Sequence, residues 1–153
     1  MRRFIKVTLL GIGILLIIAQ LIPRHWNTTS APQPNDISRV YSVPPNVTAL
    51  LKNSCYDCHS NNTRYPWYAN IQPVRYMLDR HISEGKDELN FNEFGTYSSR
   101  KKRSKLRSIG NSLEEKSMPL KSYLLIHHSA ELSAQESTVI QDWLKNVNEA
   151  DEK

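Results

Sequence analysis

Hydrophobic and polar positions change rhythm several times along this chain. Residues 4–22, FIKVTLLGIGILLIIAQLI, carry one charge near their start and are then almost wholly aliphatic. From Lys6 to Ile22 such a run forms a helix of about 25 Å, close to the hydrocarbon thickness of a bilayer once its flanks snorkel. A single N-terminal transmembrane helix is therefore expected. Residues 27–45, NTTSAPQPNDISRVYSVPP, are polar and hold four of the eight prolines, the pattern of a linker. The next stretch, NVTALLKNSCYDCH, sets Val47, Leu50, Leu51 and Cys55 on one helical face and predicts a short helix abutting Cys55. Pro66 and Pro73 then punctuate an aromatic-rich loop over 61–72. A helix over 73–84 follows, beginning near its proline and stopping at Gly85.

The second half is helical by the same reasoning. KDELNFNEFGTYSS has no clean period, but residues 99–116 place Leu106, Ile109 and Leu113 at helical spacing on a basic helix. Pro119 ends it, leaving Ser117-Met118-Pro119 as a connecting loop before a short helical run over 120–128. Ser133 with Glu136 forms a capping box. It opens the clearest helix, whose apolar stripe is Val139, Ile140, Trp143, Leu144 and Val147. Few segments alternate as strands do, so the fold class is all-α. The chain divides into an anchor (1–24), a Pro/polar linker (25–45), one helical domain (46–147) and a polar tail (148–153).

Charge refines this picture modestly. Arg2, Arg3 and Lys6 precede the apolar run and only Arg24 follows it, so the N-terminus is expected in the cytoplasm. Ala19-Gln20-Leu21-Ile22-Pro23 lacks a small-residue cleavage pattern, which favours an uncleaved anchor over a signal peptide. The net charge of +5 is mild and comes partly from the anchor's flanks, so nucleic acid is not an expected partner. Six basic residues within Arg100–Arg107 read first as a solvated helix face, and second as a surface for an acidic partner or anionic headgroups.

Both cysteines fall within five residues, Cys55-Tyr56-Asp57-Cys58-His59. C-x-x-C-H is the pattern of covalent haem attachment. In a helical turn the three side chains share a face, so two thiols can add to the two vinyl groups of one porphyrin while the imidazole reaches the iron. A structural zinc site would need two more ligands, from His25, His81, His127 or His128. A redox dithiol would need a strand–helix–strand context that is missing. The motif also supports the anchor, because everything after Arg24 would then lie on the periplasmic side of the inner membrane, where c-type haem is attached. Haem would also supply the staple that a small domain without disulfides needs.

The motif continues as Ser60-Asn61-Asn62-Thr63-Arg64-Tyr65-Pro66-Trp67-Tyr68, followed later by Leu89-Asn90-Phe91, Met118-Pro119, Tyr123 and His127. Over roughly residues 40–147 the chain resembles the small haem-binding domain family of exported bacterial proteins, relatives of mono-haem cytochromes c. The resemblance implies a small cytochrome c-like helical domain around one covalent haem c, with His59 as proximal ligand. For the sixth ligand, Met118 lies on a proline-stiffened loop about sixty residues after the motif, as the axial methionine does in similar cytochromes c. Its bland alternative is a gap-filling hydrophobe. His81 is the competing ligand and would make the site bis-histidine. One of His127 and His128 is expected to cap helix carbonyls. Arg64, Tyr65, Trp67 and Tyr68 are candidates for contacting the haem propionates or packing the ring, and the segment after Gly85 is expected to wrap the haem edge.

The function expected is electron transfer by a single-pass, membrane-anchored periplasmic cytochrome rather than catalysis, since filled axial positions keep substrates from the iron. Such a protein needs the cytochrome c maturation machinery and a redox partner whose identity the sequence does not give. The alternative is a sensor or peroxidase-like module with an open or weakly held sixth position.

Overall fold

The computed structural model describes residues 1–151, with side-chain surroundings through residue 148. Among these residues there are eight α-helices and no strand: α1 (Arg2–Ala19), α2 (Ile37–Val40), α3 (Pro45–Ser54), α4 (Tyr56–His59), α5 (Val74–Glu88), α6 (Ser99–Glu114), α7 (Lys121–Leu124) and α8 (Ala134–Asp151). Short 3-10 turns at Trp67–Asn70, Phe91–Thr96 and His128–Ala130 join them. Of the tail expected at 148–153, residues 148–151 continue α8, and 152–153 lie outside the described residues.

The domain closes on one core, in which Ile37, Val47, Leu51, Phe91, Phe94, Leu106, Ile140, Trp143 and Leu144 are buried. Each such aliphatic or aromatic side chain contributes roughly 1.5–3 kcal/mol on leaving water. α6 and α8 pack along each other, and α3 lies against α8. The stripe read on α8 faces inward: Ile140, Trp143, Leu144 and Val147 are buried and Val139 packs beside them. Its capping box is formed, with the Ser133 amide donating to Glu136 Oε2 at 2.9 Å and the Glu136 amide to Ser133 Oγ at 3.2 Å. Pro45 opens α3 at a position where no amide is needed. α6 ends through Lys116 at φ 52°, the left-handed turn that leads into the Met118 loop.

Three expectations are corrected. First, α1 closes at Ala19 rather than Ile22, and Arg2, Arg3 and Lys6 lie within it. Among the described residues no helix is long and apolar enough to cross a membrane. Second, residues 25–45 are not a free linker. Ile37 is buried in the core, α2 packs on the Phe91–Thr96 turn, and the Gly95 amide donates to the Asn35 carbonyl at 2.8 Å. Third, α5 runs past Gly85 to Glu88. Glycine is needed there for proximity: a Cβ on it would stand 2.9 Å from the Cys58 carbonyl oxygen. Its absence lets α5 close on α4, the helix turn that carries the motif.

Candidate functional site

Cys55 sits at the break between α3 and α4, and the chain turns helically from it. Its carbonyl accepts from the Cys58 amide at 3.2 Å and from the His59 amide at 3.0 Å. One helical turn therefore carries Cys55, Cys58 and His59. Both sulfurs lie in dry surroundings. Burial, assisted by Cys58, pushes the Cys55 thiol up to about 12, and burial with the Asp57 charge pushes Cys58 up to about 11. The two groups are S–H at neutral pH. Thiols held so far from the thiolate form do not suit an exchange couple.

His59 is held from behind. Its Nδ1 lies 3.0 Å from the Leu89 carbonyl oxygen, which can only accept, so Nδ1 carries the proton and Nε2 keeps its lone pair. Burial lowers the imidazole pKa, and the Leu89 and Gly85 carbonyls only partly offset that. A neutral ring fixed through one nitrogen, with the other free, is the form that ligates a metal. Phe91 meets the ring edge-on at 6.3 Å and stacks on Tyr56 at 4.9 Å. Two thiols and this imidazole fit covalent haem. Among the described residues no three His, Cys, Asp or Glu side chains converge to hold a metal ion, so the zinc alternative lacks a donor set.

The polar run after the motif is a brace. Asn61 receives the Asn90 side-chain amide at 2.8 Å and donates its backbone amide to Asn92 Oδ1 at 2.8 Å. The segment that follows His59 is thereby tied to the segment that holds it. Thr63 donates to the Asp57 carbonyl at 2.7 Å, and Asn27 donates to Thr63 at 2.9 Å and to the Ser60 carbonyl at 2.8 Å. Asp57, between the two cysteines, is 8% exposed. It accepts from the Arg64 amide and guanidinium at 3.0–3.1 Å and from the Tyr123 hydroxyl at 2.9 Å. Sequence reasoning missed Asp57, Asn27 and Leu89 as supports. Their partners lie far along the chain, or are backbone atoms that no residue type advertises.

The remaining candidates are distributed around this turn. Arg64 is committed to Asp57 and to the Lys52 and Asn53 carbonyls. Tyr65 accepts from the Asn27 amide at 2.8 Å and packs against Trp26. Trp67 is 75% exposed, edge-on to Tyr68. Tyr68 shares a 2.6 Å hydrogen bond with His127 Nε2, and the His127 ring stacks on Tyr123 at 4.2 Å. Residues Asp57, Arg64, Tyr123 and His127 line a cavity of about 220 Å³ beside the motif. His81 is half-buried on α5, one turn before Gly85. Met118 is 40% exposed in the loop between α6 and α7. On the basic helix, Lys105 pairs with Glu88 at 3.0 Å and Lys101 lies over the Tyr97 ring at 3.8 Å.

A family model described as a haem-binding domain matches residues 14–146. The match starts earlier than the resemblance read from the motifs, and it takes in the segment that the Asn27 and Ile37 contacts fasten to the domain. No curated protein and no solved structure matches the chain.

Proposed function

We propose that this chain, which belongs to the haem-binding domain family, is a mono-haem c-type cytochrome that carries electrons on the periplasmic side of the inner membrane. The observation that carries the reading is one helical turn bearing two protonated thiols and an imidazole whose Nδ1 is locked to the Leu89 carbonyl. In this reading Cys55 and Cys58 would hold the porphyrin through thioethers, and His59 would supply a ligand to its iron. When bound, the haem supplies one-electron redox chemistry at a potential set by its axial ligands and by its burial. The protein's part is orientation: Leu89 and Phe91 fix the His59 ring, Gly85 admits α5 close behind Cys58, and Asp57 with Arg64 and Tyr123 pins the turn between the thiols. Met118, on its loop, is the sixth ligand in this reading, with His81 the alternative.

α1 attaches the protein to the membrane. Its uncharged part, Val7–Ala19, reaches about 20 Å, an apolar length that can enter the bilayer while Lys6 snorkels toward the headgroups. Its side chains support this, since none is buried against the domain and Phe4, Leu9, Leu15 and Ile17 are 63–81% exposed. An acidic redox partner and the cytochrome c maturation machinery complete the proposal. A second reading, gas sensing or peroxide chemistry at an open sixth position, draws on the exposure of Met118.

Mass spectrometry of the chain, co-expressed with a maturation system and extracted with acid–acetone, tests the attachment. A chain mass increased by one haem supports the proposal, with the addition lost in Cys55→Ser/Cys58→Ser. A bare chain after extraction overturns the c-type reading while leaving non-covalent haem binding intact.

A further inference from the structure

The junction between α1 and the domain is rigid, and that rigidity fixes what else touches the membrane. Gln20, the last-turn residue of α1, donates from its side-chain amide to the Gln72 carbonyl at 3.2 Å and accepts from the Gln72 amide at 3.1 Å. Behind it Arg75 is fully buried between the rings of Trp26 and Tyr65, at 4.2 and 4.4 Å, with its Nε on the Asp79 carboxylate at 2.7 Å. Arg75 also donates to the His25 carbonyl, and Lys86 donates to Asn27 at 2.7 Å. The segment from Gln20 to Asn27 is thus stitched to Gln72, just before α5, and to Arg75 and Lys86 on α5, and cannot act as a loose tether.

Residues hydrogen-bonded to Gln20 must lie at its depth. If α1 enters a bilayer up to Ala19, Gln72 stands at the level of the headgroups, and the first turn of α5 stands with it. That turn and the residue before Gln72 expose Ile71 (44%), Val74 (40%), Tyr76 (62%) and Met77 (57%), and Leu21 (81%) and Ile22 (49%), just after Gln20, are exposed as well. Aliphatic side chains with a tyrosine at such a depth match the boundary between headgroups and acyl chains. Trp67, on the 3-10 turn packed against α5, is 75% exposed and extends the apolar surface.

We infer that the Ile71–Met77 surface is a second membrane contact, on which the haem domain rests in one fixed orientation against the lipid rather than swinging beneath its anchor. The inference builds on the membrane attachment proposed above. Its consequence is functional: the motif turn, joined to α5 through Gly85, is held at a set height and tilt for a partner working along the membrane surface.

The test uses the full holoprotein in vesicles of phosphatidylethanolamine and phosphatidylglycerol doped with a diazirine-tailed phosphatidylcholine. After irradiation, cross-linked lipid is mapped by peptide mass spectrometry. The expected result is lipid on α1 and also on the Trp67–Met77 segment. The doubly substituted Ile71→Glu/Met77→Glu chain should lose the second signal several-fold while keeping the first. Both positions are exposed, so an unchanged haem spectrum serves as the control for folding. Lipid on α1 alone would overturn this inference, leave the attachment standing and point to a protein covering the surface. Lipid on neither segment would overturn the attachment as well.

Discussion

The turn from Cys55 to His59 and the segment from Ser117 to Ile126, which holds α7, differ sharply in how they are held. Around the first, a dense set of hydrogen bonds holds the chain: His59 on Leu89, Asp57 on Arg64 and Tyr123, and Asn61 on Asn90 and Asn92. In the second, Met118, Leu125 and Ile126 are 40%, 75% and 61% exposed, and only Tyr123 reaches back to the motif turn. The proposed covalent cofactor would make such a division useful. Bond formation needs the thiols and the proximal imidazole positioned beforehand, whereas a loop that must admit a large ring can settle afterwards. Preorganisation belongs where chemistry is done to the chain, and freedom where the chain must close.

The contrast can be broken first at Arg75. Arg75→Ala should destabilise the fold by about 3 kcal/mol in denaturant unfolding, near the lower end for a broken buried pair because Asp79 is 33% exposed on its side chain. A change under 1 kcal/mol would mean that the N-terminal segment is not fastened as described. Next comes Gly85→Ala, whose methyl group must displace the Cys58 backbone, at a cost of about 1–3 kcal/mol. The yield of attached haem should fall with it. Tyr123→Phe removes the hydroxyl that Asp57 accepts and should cost about 1–2 kcal/mol, measured by the same unfolding curve.

The pH dependence is smaller. Burial lowers the His59 pKa below its usual value in the haem-free chain. Below a pH of about 6.5 the unfolded chain therefore binds a proton that the folded chain resists. The contribution of His59 to stability is complete above that value and declines as pH falls beneath it. His59→Phe should flatten this part of the curve, and an unchanged slope would contradict the buried neutral ring. Smallest in stability is Met118→Ala, expected within about 0.5 kcal/mol for so exposed a side chain. It sharpens the comparison nonetheless, because in the proposed holoprotein it should alter the iron's spectrum while barely moving the unfolding midpoint.

Legibility in the sequence followed the distance over which each feature acts. α8 could be read outright, since its capping box and apolar stripe are contained within fifteen residues, Ser133–Val147. The motif was readable for the same reason, spacing within one turn. Residues 25–45 read as a linker because their attachment rests on one buried Ile37 and on side-chain bonds to positions 20 or more residues away. Gly85 looked like a helix stop because glycine favours both chain ends and close approaches, and only the packing of α5 on Cys58 distinguishes them. The hold on His59 was invisible, since its partner is a backbone carbonyl. The Tyr68–His127 pair was invisible because the two residues lie 59 positions apart.

The most direct test of the account is the absorption spectrum of the purified holoprotein, oxidised, reduced and treated with carbon monoxide. The account predicts a low-spin iron, a weak long-wavelength sulfur-to-iron band that disappears in Met118→Ala, and no carbon monoxide shift in the parent chain. A high-spin iron that binds carbon monoxide readily and is indifferent to Met118→Ala would contradict electron transfer with His59 and Met118 as ligands.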